Sequence, residues 1–220
     1  MKEKKKVHKR TLKIDSYFVG KVQPYSDVTK EESVEKLQEL DRKDKERIML
    51  EESRNKVESY IYFIKNKMSD DEEEIAKVTN EEQRSSIIKM ATEAEDWLYE
   101  DGYDADLATF EDKYAELSEP AQAIFFRLAE MTARPEAVAA LRKKLTKVED
   151  LMAKWETEKP QVTEEERVSV FEKVEEARKW ISDKEDLQAS TEPTETPVFT
   201  SEEVPLQTKS IETLVARLSR

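Results

Sequence analysis

The chain has no cysteine, one histidine and two glycines among its 220 residues. Without cysteine there is neither a disulfide nor a thiolate to act as nucleophile or metal ligand. With His8 alone, and that in a charged tail, a Ser-His-Asp triad, a histidine-ligated zinc and imidazole acid–base catalysis all lack components. Gly20 and Gly102 are too few for the tight turns of a many-stranded sheet, and no glycine-rich loop exists to cradle a phosphate. No run approaches the roughly 18 apolar residues of a transmembrane helix, and no apolar signal-peptide core follows Met1. Asn55, Asn66 and Asn80 open no glycosylation sequon.

What is present points to helices. Charged residues make up 40% of the chain, but 37% is hydrophobic, enough to build a core. Abundant Ala, Glu, Lys and Leu with so few turn residues make the expected fold all-α. The net charge of −13 disfavours nucleic acid as a partner. The seven Lys and Arg of residues 1–13 read as a short solvated tail. The acids from Asp70 to Glu74 lack the spacing and central Gly of a calcium loop and read as solvated. No active site is read.

Along the chain, "TLKIDSYFVGKVQPYS" is the one strand-like passage, with Leu12, Ile14 and Phe18 at period two and Gly20 and Pro24 at its end. A lone strand has no partner for its backbone groups, so this one is expected to be unpaired or to belong to a larger protein. A long helix is expected from Thr29, where "TKEE" offers a threonine cap. It carries Val34, Leu37 and Leu40, a wholly polar stretch at 41–47, then Leu50, Val57, Ile61, Ile64 and Met68, with a kink or break inside 41–56 left open. Residues 69–78 read as an acidic loop, "TNEE" at Thr79 as a second cap, and Gly102 as the stop of a helix bearing Ile87, Ala91, Ala94 and Leu98. A third helix holds Leu107 to Leu128, "ARPEA" reads as a boundary, and a fourth holds Val138 to Trp155. Thr163 caps a fifth bearing Val170, Val174 and Ile181. Seven acids with Pro193 and Pro197 mark 183–203 as a linker before a short amphipathic helix with Ile211, Leu214, Val215 and Leu218. Short stripes and short loops favour an antiparallel bundle over an extended coiled coil.

The stretch "RNKVESYIYFIKNKM" places five large apolar residues, Tyr60 to Ile64, side by side. At roughly 100° per residue they cover most of a helix circumference, as suits the central member of a bundle, and the tyrosine hydroxyls are expected to find partners. The same stretch resembles the lid-helix signature of the seventy-kilodalton heat-shock chaperone superfamily, carried here by Asn55, Glu58, Ser59 and Tyr60. "EDWLYEDGYDADLATFEDKYAELSEPAQAIFFR" is similar to that family's next elements, and its Trp-Leu-Tyr-Glu-Asp-Gly wording to the enlarged branch. "AIFFRLAEMTARPEAVAALRKKL" and "TPVFTSEEVPLQTKSIETLVARL" resemble more loosely the endoplasmic-reticulum type of that branch and its fungal luminal counterparts.

The resemblance implies a long lid helix leading into a bundle over 29–182. It also implies that 1–28 are a tail and the last strand of a β-sandwich domain not present here, with a linker at 183–203 and a terminal helix at 204–220. It implies a chaperone that holds unfolded client proteins and supports nucleotide exchange on a smaller partner chaperone of the same superfamily. ATP would belong to a nucleotide-binding domain outside these residues, so no cofactor, nucleic-acid or membrane partner is expected here. The implied compartment is the endoplasmic reticulum lumen, on the resemblance alone since no retention tetrapeptide ends the chain, with the cytoplasm as the alternative; the branch's long acidic insertion is not visible. Phe126, Trp155 and Trp180 are the candidate client or partner surface. A non-catalytic adaptor with one defined partner is the competing expectation, since bundle periodicity would look the same.

Overall fold

The computed structural model describes residues 7–17, 19–20 and 25–220. Residues 1–6 of the basic tail, with Phe18 and Pro24 of the strand-like passage, lie outside them. The chain divides into two units, residues 1–49 and 50–220. Among the described residues there are six α-helices and no strand.

In the first unit, Leu12, Ile14 and Tyr17 are exposed on backbone without regular structure, because nothing pairs with it. The long helix α1 spans Asp27–Asp70. Its cap is Ser26 and not Thr29: Ser26 Oγ accepts from the Thr29 backbone N–H at 3.1 Å, which puts Thr29 inside the first turn. Within 41–56 the helix does not break. Arg42 bridges Glu39 at 2.7 Å and Glu46 at 2.5 Å, so ion pairs one turn apart support the polar stretch where packing does not. Val34, Leu37 and Leu40 are exposed.

The second unit holds two apolar cores. The first collects Val57, Ile61 and Ile64 of α1, Ile87 and Leu98 of α3 (Glu81–Tyr99), and Phe110, Leu117 and Ile124 of α4 (Leu107–Glu158). The second collects Val138, Leu145 and Met152 of α4, Val170, Val174 and Ile181 of α5 (Glu164–Ala189), and Phe199, Val204 and Ile211 from the C-terminal segment.

Several local expectations are corrected. The acidic loop at 69–78 contains a helix, α2 (Glu72–Ala76), because Ile75 and Val78 are buried and anchor it to the first core. The cap of α3 is Asn80 and not Thr79. Asn80 Oδ1 accepts from the Gln83 N–H at 2.8 Å while Gln83 Oε1 accepts from the Asn80 N–H at 3.2 Å, and buried Thr79 instead donates its hydroxyl to the Ile75 carbonyl. Gly102 does not terminate α3 through a left-handed turn. It lies in a 3₁₀ turn, Asp101–Asp104, without a positive φ. There a Cβ would stand 3.0 Å from the Trp97 carbonyl oxygen, so close approach accounts for the glycine.

The third and fourth helices expected from "ARPEA" are one. Helix α4 runs 52 residues through Pro120 and Pro135. Each proline removes one N–H and crowds the preceding turn, at about 3 kcal/mol or more. Apolar burial offsets that: Leu117, Ala121 and Ile124 around Pro120, and Val138 and Leu141 after Pro135. The sequence boundary marks the change of core instead, between Leu128 of the first and Ala137 of the second.

Thr163 caps α5 as expected, with Glu166 closing the box. Residues 183–189, read as linker, continue α5. The remainder packs down: Phe199 is buried, edge-to-face with Trp180 at 6.0 Å, and Gln188 Oε1 accepts from the Val198 N–H at 2.9 Å. Composition hid this because three apolar anchors, Val198, Phe199 and Val204, sit in an otherwise polar stretch. Helix α6 (Lys209–Leu218) buries Ile211 on the second core. Lys144 of α4 meets Glu212 and donates to Thr208 Oγ1 at 3.1 Å; its bond to Glu212 holds that carboxyl below the ordinary glutamate range.

Candidate functional surface

Asn55, Glu58, Ser59 and Tyr60 sit where α1 enters the first core. Asn55 and Ser59, one turn apart, are exposed. Glu58 Oε1 accepts from the Tyr99 hydroxyl at 2.8 Å, and the Tyr62 hydroxyl lies 3.2 Å from that of Tyr99. Glu58 and Tyr62, also one turn apart, thus pin the end of α3 to α1. The bond with Tyr62 and then that with Glu58 push the Tyr99 hydroxyl well above its ordinary pKa. Below them Lys65 pairs with Glu95 of α3, both half-buried.

Tyr60 turns inward. Its ring lies 5.7 Å from Phe63 and 5.0 Å from Tyr114, and Lys56 Nζ stands 3.7 Å from the Tyr114 ring centroid. Contrary to expectation its hydroxyl is enclosed without a hydrogen bond, Gln122 being near but out of bonding geometry. Burial raises its pKa. An enclosed, unpaired hydroxyl is a cost to folding. Tyr60→Phe is therefore expected to leave stability unchanged or raise it by up to about 1 kcal/mol. Urea unfolding checks this, and a loss larger than that would mean the hydroxyl has a partner.

The three candidate surface residues part company. Phe126 is 42% exposed. Trp155 is buried in the second core at 5%, under Lys159, and offers no surface. Trp180 is half-buried against Phe199. The open apolar surface includes two residues the sequence reading kept for the core, Tyr62 and Phe63, at 45% and 43%. Phe63 meets Phe125 edge-on at 5.3 Å and stacks on Tyr60, with the rest of the ring exposed.

Between the two cores, α4 carries buried charge that the sequence reading passed over. Arg127 donates to the Val78 carbonyl, Glu130 accepts twice from Ser201, and Arg134 lies over the Phe199 ring. The signal was legible: these residues continue the apolar stripe at steps of 3 and 4 between Ile124 and Val138.

Residues 2–130 match the family model described as "Hsp70 protein". The chain belongs to the Hsp70 family. The match ends where the first core does, and relatives extend past it. This Hsp70-family chain is 32% identical over 209 residues to hypoxia up-regulated protein 1 of Gallus gallus, covering 94% of the chain and 20% of that protein. It is 40% identical over 159 residues to heat shock 70 kDa protein 17 of Arabidopsis thaliana, covering 70% of the chain and 18% of that protein. It is 29% identical over 174 residues to heat shock 70 kDa protein 4 of Homo sapiens, covering 78% and 20%. The chain thus spans about a fifth of the length of the curated relatives it matches. No solved structure matches it.

Proposed function

We propose that this chain is the helical lid and bundle of a large Hsp70-type chaperone, where it helps hold unfolded client proteins and supports nucleotide exchange on a smaller partner chaperone. Family membership supports a chaperone-type role. The observation that carries client holding is the exposure of three aromatic side chains, Tyr62, Phe63 and Phe126, on a helical scaffold rich in charge. ATP binding belongs, on this reading, to a nucleotide-binding domain of the longer protein. The lumen of the endoplasmic reticulum is the proposed compartment, on the resemblance of the late segment and on relatives named hypoxia up-regulated protein 1, with the cytoplasm as the alternative.

The test is suppression of aggregation. Added without ATP to a heat-denatured model enzyme, the purified chain is expected to lower light scattering in proportion to its concentration. The Phe63→Ser, Phe126→Ser double variant should lose most of that effect at unchanged helicity. No suppression at several-fold excess removes client holding from this chain. The adaptor alternative predicts capture of one defined partner and indifference to denatured enzyme.

A further inference from the structure

Arg127 is 8% exposed. Its Nε donates to the Val78 carbonyl at 3.1 Å, and among the described residues no carboxylate pairs with its guanidinium. A buried guanidinium ordinarily has an anion or several acceptors, because desolvating it otherwise costs several kcal/mol. One carbonyl serves one of its five N–H groups. The four N–H groups of the Nη atoms make no hydrogen bond among the described residues, yet the one sealed side-chain polar atom without a partner there is the Tyr60 hydroxyl. The Nη edge is therefore not sealed, and Arg127 lines a cleft between α3 and α4.

That cleft has a volume of about 360 Å³, at the low end of the roughly 300–1,000 Å³ typical of ligand pockets. Its walls are apolar, with Ile87 and Met90 from α3 facing Ile124 from α4. At the rim Gln83 and Ser86 offer neutral polar groups, and Glu82 is exposed. One fixed cation set in apolar walls selects a monoanion attached to an apolar group. A phosphate dianion is disfavoured, since Glu82 repels its second charge and among the described residues no second cation lines the cleft. The size admits one or two residues, and a C-terminal apolar residue carries both the monoanion and the apolar group within it.

We propose that this cleft binds a peptide C-terminus, with the terminal carboxylate on the Arg127 guanidinium and the last, apolar side chain between Ile87, Met90 and Ile124. The site shares no residue with the exposed aromatics and does not depend on client holding.

Fluorescence anisotropy on the full chain tests it, with fluorescein-Gly-Ser-Gly-Ser-Val-Leu as the free acid and as the C-terminal amide. The acid is expected to bind about tenfold or more tightly than the amide, because amidation removes the charge-assisted bonds. Arg127→Met should abolish that preference. Ala123→Phe, at an exposed lining position, fills the cleft without touching the guanidinium and should abolish binding at unchanged helicity and melting. It keeps the test valid if Arg127→Met unfolds. Equal affinity for acid and amide, no saturable binding, or a preference that survives Ala123→Phe would overturn the proposal. Hexanoate displacing the peptide at an equal or lower concentration would give the cleft to a free small carboxylate and overturn the peptide assignment.

Discussion

Phe110→Ala is expected to lower the unfolding free energy by about 3–5 kcal/mol, while Phe126→Ala lowers it by less than about 1 kcal/mol. Both are phenylalanines on α4, and the contrast lies in what surrounds them. Phe110 is 2% exposed and stands edge-on to Trp97 at 5.4 Å, closing the first core where the 3₁₀ turn hands the chain to α4. Truncation removes the transfer free energy of the ring and leaves a void whose walls cannot close. Trp97 is already held against Gly102, where even a methyl group would stand 3.0 Å from the Trp97 carbonyl oxygen. Phe126 is 42% exposed and belongs to neither core, so its loss costs little folding free energy. It should instead appear as weaker suppression of aggregation. Urea titrations of the two variants measure the first difference and light scattering the second. A loss at Phe110 under about 1.5 kcal/mol would place that ring outside the core.

Much of this architecture was readable because buried helices write their contacts at intervals of 3 and 4. Val57, Ile61, Ile64 and Met68, then Ile87, Ala91, Ala94 and Leu98, are the buried residues of α1 and α3. Elements with one or two anchors were not readable in this way. Helix α2 shows Ile75 alone amid acids, and the segment before α6 shows Val198 and Phe199 between prolines and glutamates. Composition averages such anchors away, yet one sealed side chain is enough to fix a short segment. The prolines misled for a different reason. Local chemistry makes Pro135 a helix start, but burial of Val138 and Leu141 beyond it kept α4 whole and moved the meaning of that position from element boundary to core boundary. At the candidate surface, the sequence did not foretell the contacts of the motif residues. Asn55 and Ser59 stay in water, Glu58 ties α1 to Tyr99, and Trp155 proved to be core because its stripe continues into α5's partners. Charged residues at stripe positions 127, 130 and 134 were the overlooked sign of buried polar chemistry.

Glu130→Ala carries the second large expected loss. Glu130 is 5% exposed and accepts from the Ser201 backbone N–H at 2.7 Å and from its hydroxyl at 2.8 Å. Arg134 Nε stands 3.8 Å from one carboxylate oxygen, with its own side chain 16% exposed and its pKa lowered by burial. Alanine here leaves an amide without its acceptor and a largely enclosed guanidinium without its anion. Removing one partner of such a set costs about 3–5 kcal/mol. The segment that Glu130 holds can also open by itself, and a local opening caps the loss seen in global unfolding at its own free energy. Two measurements separate these routes. If the clasp acts globally, the urea midpoint falls for the whole chain. If it acts locally, thermolysin cuts beside Phe199, sealed at 3% exposure, while the helices remain intact. Glu130→Gln keeps one acceptor oxygen and should lose less by either measure. A Glu130→Ala chain with native midpoint and native protease resistance would mean that burial of Phe199 and Val204 alone fastens the C-terminal segment, and that the carboxylate between the two cores holds nothing in place.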